Sequence, residues 1–447
     1  MPVLREESEE KILVRFERLL QLSREIPKRA GSMPPLGFIS RDVAQRGGFL
    51  KSPLSVTVDL TNQCNQDCLF CYRSGPVTLT PDGIPTHLPL ESLDSICRQI
   101  VQMGVASIAL SGGEPACHPQ FIDAVRLVKQ YDLALTVITN GTRLTEREVR
   151  TMGTLLEPER DHVELSVDAA SRETFRKIAR TDGFSSLQAS LEWFQAYRIP
   201  FHTMTLILRD NLHEIDEILS MIGRHGPREC AVEAPFPKKG IPPETHASLD
   251  EIMDVHERLL QRASGTPEIS LNFLHLSMNI PGGFEKLMSW TYGNDAPLSG
   301  CHGGEASCAI DIHGDMHLCQ FLIDRGICRI GNIHETPMAA LWKNLQEMKR
   351  SIRENVYGGR GGCPGFALEA SCAGTGSACR RATSEPHSTG PTSTRPPASP
   401  STWDSKVSPR NCSTRKGVRR PSGWRSPSVR PTGSMPPWRS CCGTNSS

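Results

Sequence analysis

Several absences narrow this sequence before any motif is read. No stretch approaches the 18 or more consecutive apolar residues of a membrane span, so no membrane partner is expected. The acidic opening, residues 1–10, has no apolar segment followed by a cleavage site, and no secretory signal is expected there. From Arg380 to the last residue there is no Leu, Ile or Phe. Net charge is also nearly absent, at +1, but two opposite regions lie behind it. Residues 380–447 hold 12 Lys and Arg against Glu385 and Asp404, leaving 38 Lys and Arg against 47 Asp and Glu in the rest. The body is acidic and the tail basic. With 38% hydrophobic residues, the 447-residue chain can build a core and hold two or three domains.

Against these absences stand 16 cysteines. Tight cysteine clusters without a secretory signal favour metal in a reducing, cytoplasmic setting over disulfides. The most compact group is Cys64, Cys68 and Cys71, which directly follows an apolar alternating run at 54–60. Three thiolates from one loop can hold three corners of a cubane iron–sulfur cluster, whereas a closed site needs a fourth ligand. The loop lacks that fourth cysteine, and an open metal position is how a site becomes catalytic. The alternative is a zinc loop that borrows a distant Cys or His.

Upstream, residues 9–26 carry Ile12, Leu13, Phe16, Leu19 and Leu20 at helical spacing, predicting an amphipathic helix on the outside of the main domain. From residue 54 the chain becomes regular. Strands are predicted at 54–60, 106–111, 134–139, 162–167, 201–208 and 229–234. Helices are predicted at 90–103, 119–131, 145–156, 185–197, 211–224 and 250–262. Such alternation implies right-handed crossovers and a parallel sheet. Six units predict an α/β fold, a partial (β/α)6 TIM-like barrel whose chemistry sits at the strand C-terminal ends.

The three-cysteine loop falls at that end of the first strand. Ser111-Gly112-Gly113-Glu114-Pro115 follows the second strand, with glycines that let a ligand approach the backbone and a carboxylate suited to an ammonium group. Thr139-Asn140-Gly141 follows the third, Ser166-Val167-Asp168 the fourth and Glu233-Ala234-Pro235 the sixth. Each is a weak signal alone, since Gly-Gly is usually a turn and a lone Ser or Asp a cap. Their occurrence in strand order is not.

Over residues 50–240 the sequence resembles the radical S-adenosylmethionine (SAM) enzymes. The residues that carry the resemblance are Cys64, Cys68 and Cys71, with Phe70 before the third cysteine, and Gly112-Gly113-Glu114-Pro115. The resemblance implies a [4Fe–4S] cluster whose open iron chelates SAM. Gly112, Gly113 and Glu114 would hold the amino end of SAM, Thr139 and Ser166 its carboxylate or ribose, and Phe70 would lie near the adenine. It further implies an electron donor such as flavodoxin or ferredoxin, and cleavage of SAM to a 5′-deoxyadenosyl radical that takes a hydrogen atom from substrate. Cys97, Cys117 and Cys230 are read as packing residues. No catalytic acid, base or hydrogen donor can be named.

A second cysteine region begins at Cys301. Ile310 and Ile312, then Met316 and Leu318, alternate around His313-Gly314-Asp315, predicting a hairpin that brings Cys308 and Cys319 together at its open end. A helix is predicted at 337–348. Cys301, Gly314 and Cys319 resemble the first half of the pattern in the SPASM/twitch class, whose extensions bind auxiliary iron–sulfur clusters. The second half departs from that pattern, with Cys363, Cys372 and Cys379 at the wrong spacings. The resemblance implies one auxiliary cluster using Cys301 and Cys319, with Cys308 and Cys363 as further ligands; zinc is the alternative. His302, His313 and His317 are read as exposed hairpin residues.

The tail, 380–447, draws 15 Ser and 11 Pro into its 68 residues and cannot bury enough apolar surface to offset ordering entropy. A disordered tail is expected. A reading-frame shift after about Gly361 explains both the composition break and the failed cysteine pattern; a natural basic arm is the rival explanation, and resequencing the gene decides between them. The organisation expected is a helix and linker at 1–50, the barrel at 51–265, the auxiliary-cluster domain at 266–379 and the tail at 380–447. A peptide or protein side chain is the expected substrate, as for a peptide maturase. Small-molecule cofactor or sugar biosynthesis is the first alternative, and a non-catalytic iron–sulfur or zinc protein the second. The 1–50 segment is too short and strand-poor for a leader-binding domain, and no specific nucleic acid is expected as partner.

Overall fold

A computed structural model describes residues 6–24, 50–71, 73, 86–235, 245–262, 269–272, 276, 286–287, 303–325 and 329–356. The tail and Cys301, Cys363, Cys372 and Cys379 lie outside these residues. Chain order runs α1 (Glu6–Arg24), β1 (Ser55–Thr61), α2 (Leu90–Gln102), β2 (Ser107–Gly112), α3 (Phe121–Val128), β3 (Ala134–Thr139), α4 (Glu146–Leu155) and β4 (His162–Ser166). Next come α5 (Arg172–Ala179), α6 (Phe184–Ala196), β5 (Phe201–Leu206), α7 (Ile215–Gly223), β6 (Glu229–Glu233), α8 (Leu249–Arg262) and β7 (Ile269–Asn272). The described residues end with β8 (Ser307–Ile310), β9 (Asp315–His317), β10 (Arg329–Asn332) and α9 (Met338–Val356).

The strands form one open sheet in the order β10-β9-β8-β1-β2-β3-β4-β5-β6-β7. β1 through β7 are parallel to their neighbours, the outcome that strand–helix alternation predicts. One parallel strand, β7, extends the sheet beyond the six predicted. Alternation along each strand separates two faces. Val56, Val58, Leu135, Val137, Val163 and Leu165 are fully buried in the core, while Thr136, Glu164, Ser166 and His202 are half-buried on the other face. The inner face is therefore polar and available to chemistry.

The hairpin of the second cysteine region is not a separate appendage. β8 pairs in parallel with β1 from Ser55↔Ser307 to Val58↔Ile310, and β9 and β10 continue the sheet antiparallel. The edge of β1, which would otherwise offer unpaired backbone groups, is thereby covered.

One helix meets expectation and one departs from it. The predicted N-terminal helix forms, burying Ile12, Phe16, Leu19 and Leu20. It also lays Arg15 across α8, bonded to Glu257 at 2.9 Å, Asp250 at 3.2 Å and Asp254. Helix α5 was not predicted because its eight residues offer few apolar anchors, Phe175 and Ile178 among them. Its start is capped by the Ser171 hydroxyl, which accepts from the Thr174 N–H at 3.1 Å. Among the described residues, no helix is long and apolar enough to cross a membrane.

Candidate active site

The loop after β1 carries Cys64, Cys68 and Cys71, all partly buried. It is held from three sides. The Gly113 N–H donates to Thr61 O at 2.8 Å, and the Glu114 N–H to Gln63 O at 2.8 Å, so the turn after β2 is stitched along the start of the cysteine loop. Gly112 explains why only glycine serves here. Its φ is +133°, and an added Cβ would stand 2.3 Å from Thr61 O. Its missing side chain makes room for the first strand's own backbone.

On the second side lies the turn after β3. The Asn140 side chain donates to Asn65 Oδ1 at 3.0 Å and to Cys64 Sγ at 3.8 Å. Thr142 Oγ1 accepts from Asn65 Nδ2 at 2.8 Å and Gln66 Nε2 at 3.1 Å. Gln66 in turn accepts from Cys68 Sγ at 3.2 Å. On the third side, the Asp67 and Leu69 N–H groups donate to Ala179 O and Ile178 O at the end of α5. Just past Cys71, Arg73 pairs with Asp59 of β1, both side chains nearly inaccessible.

Glu114 and Thr139 sit differently from their expected roles. The Glu114 carboxylate is 1% exposed and accepts from Ala116 N–H at 3.1 Å, Thr139 Oγ1 at 2.6 Å and Asn140 N–H at 2.8 Å. Burial pushes its pKa up, and these bonds oppose the shift. Thr139 Oγ1 also accepts from the Gly141 N–H at 3.0 Å. The two side chains lock the β2 turn to the β3 turn, so a buried bracket stands where an open ammonium acceptor was expected. Ser166 and Phe70 are half-buried, Ser166 at the end of β4 and Phe70 in the cysteine loop.

The thiols fit a thiolate-binding cluster in kind. Burial pushes Cys64 up to about 12, with Cys71 and Cys117 adding repulsion, and pushes Cys68 well up, with Cys64 and Cys71 adding to it. Mutually repelling buried thiols lose their protons readily only when a cation takes their place. Among the described residues, no three His, Cys, Asp or Glu side chains gather as they would around one metal ion. A cubane does not require that, because each thiolate binds a different iron. Three thiolates on one loop are a donor set that a cubane accepts.

The second region behaves otherwise. Register Ala309↔His317 and Ile310↔Met316, continued by one pair, sets Cys308 opposite Leu318, with Cys319 the next residue along at the hairpin's open end. Cys308 is 2% exposed in the apolar core, and burial pushes its thiol up to about 12. Cys319 is partly exposed, and a Cβ on Gly303 would lie 3.4 Å from its own Cβ. His313 is exposed as expected; His317 is buried, with Nε2 2.9 Å from Asp311 Oδ2.

Sequence reasoning placed Asn140 in its turn but not against Cys64, and it missed Thr142 and Arg73, whose roles depend on which loops meet. It also passed over the inner-face row Glu164↔His202↔Glu229 and the stacked pair His162–His202, 4.4 Å between rings. The alternation His-Val-Glu-Leu-Ser-Val-Asp at 162–168 carried that signal: its polar half lines the inner face. Glu233 is pushed up to about 8 by burial, with Glu164 and Asp168 repelling it. Cys117, read as packing, is half-buried near Cys64, its thiol pushed up to about 11 by burial.

Comparison with known proteins fits this geometry. Residues 58–222 match the radical SAM superfamily, and residues 301–374 match the SPASM iron–sulfur cluster-binding domain. The second match ends six residues short of Arg380. A probable GTP 3′,8-cyclase of Thermococcus kodakarensis is 28% identical over 42% of this chain and 63% of its own length. The chain thus spans less than two thirds of that relative. The mycofactocin maturase MftC of Mycobacterium tuberculosis is 24% identical over 73% of this chain and 82% of its own. Among solved structures, Streptococcus suis SuiB bound to S-adenosylmethionine shares the fold, with a TM-score of 0.55 at 15% identity, covering 70% of this chain and 71% of SuiB.

Proposed function

This chain belongs to the radical SAM superfamily with a C-terminal SPASM domain, and we propose that it is a maturase acting on a peptide or protein side chain. Its cofactors are a [4Fe–4S] cluster with SAM, and the SPASM domain implies auxiliary iron–sulfur clusters. When bound, the cluster and SAM supply an electron and, through it, abstraction of a hydrogen atom from substrate.

The protein's part is to hold, orient and exclude. In this proposal Cys64, Cys68 and Cys71 supply three thiolates and leave one iron open. The backbone of Gly112 and Gly113 meets the amino end of SAM, Ser166 its carboxylate or ribose, and Phe70 its adenine. Glu114 and Thr139 act behind these groups, fixing the β2 and β3 turns relative to each other. Cys301 and Cys319 are proposed for one auxiliary cluster, with Cys363 as a further ligand. Cys308 is not carried into that set, because its sulfur lies in the apolar core. A flavodoxin or ferredoxin is the proposed electron donor.

The observation that carries the reading is the three-sided anchoring of the cysteine loop to the strand ends after β2 and β3 and to the end of α5. The peptide assignment draws its support from the match along most of the length of MftC, named a maturase. The GTP cyclase relative supports a small-molecule substrate as the second reading. Anaerobic reconstitution followed by SAM and dithionite is expected to yield 5′-deoxyadenosine. A cubane spectrum without that product would overturn the enzyme assignment. Mass change in a peptide encoded beside the gene, against no change in GTP, separates the two substrate readings.

A further inference from the structure

The turn after β3 is built more elaborately than a connection requires. Every hydrogen-bonding group of the Asn140 side chain is used. Its Oδ1 accepts from Thr142 N–H at 2.9 Å and from Thr142 Oγ1 at 2.7 Å. Its Nδ2 donates to Asn65 Oδ1 at 3.0 Å and to Cys64 Sγ at 3.8 Å, while its backbone N–H donates to Glu114 Oε2 at 2.8 Å. The amide orientation follows from these partners. A backbone N–H can only donate, so the oxygen must face Thr142 and the NH2 must face the sulfur. Gly141 makes this turn possible, with φ at +72°. The Ser190 hydroxyl fastens it from behind, donating to Gly141 O at 2.6 Å.

We infer that Asn140 is a positioning residue that sets the Cys64 corner of the cluster and raises the cluster's reduction potential. The inference rests on the assignment of Cys64 as a cluster ligand proposed above. Two physical consequences follow from the geometry. Asn140 ties the cysteine loop to the Glu114 bracket, so the loop is ordered before iron arrives and less conformational entropy is lost on assembly. Once Cys64 is a thiolate, the N–H donor meets a more negative sulfur and the bond strengthens. Reduction adds further negative charge to the cluster, so a donor at a ligand sulfur favours the reduced state.

Asn140→Asp separates the two effects. It keeps an oxygen for Thr142 while replacing the donor with an acceptor beside Cys64 and Asn65. The test is a potentiometric titration of the full chain, anaerobically reconstituted, following the electron paramagnetic resonance signal that changes on SAM addition. That selection separates this cluster from an auxiliary one. In the variant, reduction is expected to be disfavoured by about tenfold, about 59 mV for a one-electron couple. A midpoint matching the unsubstituted protein would overturn the inference. Should the variant lose iron, Asn140→Ala is titrated in its place, and thermal unfolding of the metal-free chain is compared. Iron loss with unchanged metal-free stability supports the positioning role; an equal loss of metal-free stability assigns Asn140 to folding alone and overturns it. If the unsubstituted chain forms no cubane on Cys64, Cys68 and Cys71, the proposed function fails, whatever Asn140 does.

Discussion

The two cysteine regions of this protein share one sheet yet are built on different principles. Cys64, Cys68 and Cys71 lie on a loop whose polar groups are bonded to the turn after β2, the turn after β3 and the end of α5. Cys308 and Cys319 lie on a hairpin, where alternation sends neighbouring positions to opposite faces. One thiol enters the core and the other stays accessible. Cysteine spacing therefore means different things in the two places. In the loop, hydrogen bonds to the neighbouring turns fix the backbone that carries the cysteines; in paired strands, register decides which side chains share a face.

Substitutions can break this contrast, and the largest effect is expected in the loop. Cys68→Ala is expected to abolish both the loop's cluster and 5′-deoxyadenosine formation, whereas Cys308→Ala leaves both intact. Iron content and product yield measure the difference, and retained cleavage in Cys68→Ala would show that the cluster loop is misassigned. The next largest concerns the buried pair behind the loop. Arg73→Leu leaves Asp59 charged and without that partner, at a cost of about 3–5 kcal/mol in chemical unfolding. An unfolding midpoint near that of the unsubstituted chain would mean that the loop does not depend on this tether.

The bracket comes third. Glu114→Gln turns one acceptor oxygen toward a donor, at a cost of about 1–3 kcal/mol. Its effect should reach the cluster loop as faster thiol labelling of Cys64, and not Cys319. A pH effect is expected from the inner face. The carboxyl of Glu233 is raised from 4.5 to about 8, so the folded state binds more protons than the unfolded state between those values. Its contribution to stability falls as pH rises through that window and is flat above it. The metal-free chain should lose urea resistance from pH 5 to pH 8, and Glu233→Gln should flatten the slope; an unchanged slope would contradict the assignment. The smallest effect is expected at Arg180, whose exposed pair with Asp67, 3.2 Å apart, sits over the same loop. Arg180→Ala should cost below about 1 kcal/mol, since solvent screens the pair and backbone bonds to α5 hold the loop.

Much of the barrel was legible beforehand. Helical and strand periods placed the first six strands near their observed ranges, because burial on one face leaves a two-residue rhythm. The three-cysteine loop and the Gly-Gly-Glu-Pro turn were legible because their residues are adjacent in the chain. Less legible were the residues that act through partners far away in sequence. Glu114 reads as an open carboxylate until Thr139 and Asn140 are seen to occupy it. His317 reads as exposed until Asp311 is found beside it. Helix α5 gave little periodic signal in eight residues, yet its last two carbonyls accept from the Asp67 and Leu69 N–H groups of the cysteine loop.

By itself, then, the sequence determined the strand–helix alternation, the location of the reactive loop and the family to which the chain belongs. These are local properties: periodicity, spacing and the residue types that chemistry demands at one short stretch. Only the tertiary structure decided that β8 completes the edge of β1, that Gly112 makes room for Thr61, and that Asn140 reaches Cys64. Each of these joins residues separated by tens to hundreds of positions. Hydrogen bonding and close packing act through space, and spacing along the chain carries no record of which distant groups will meet.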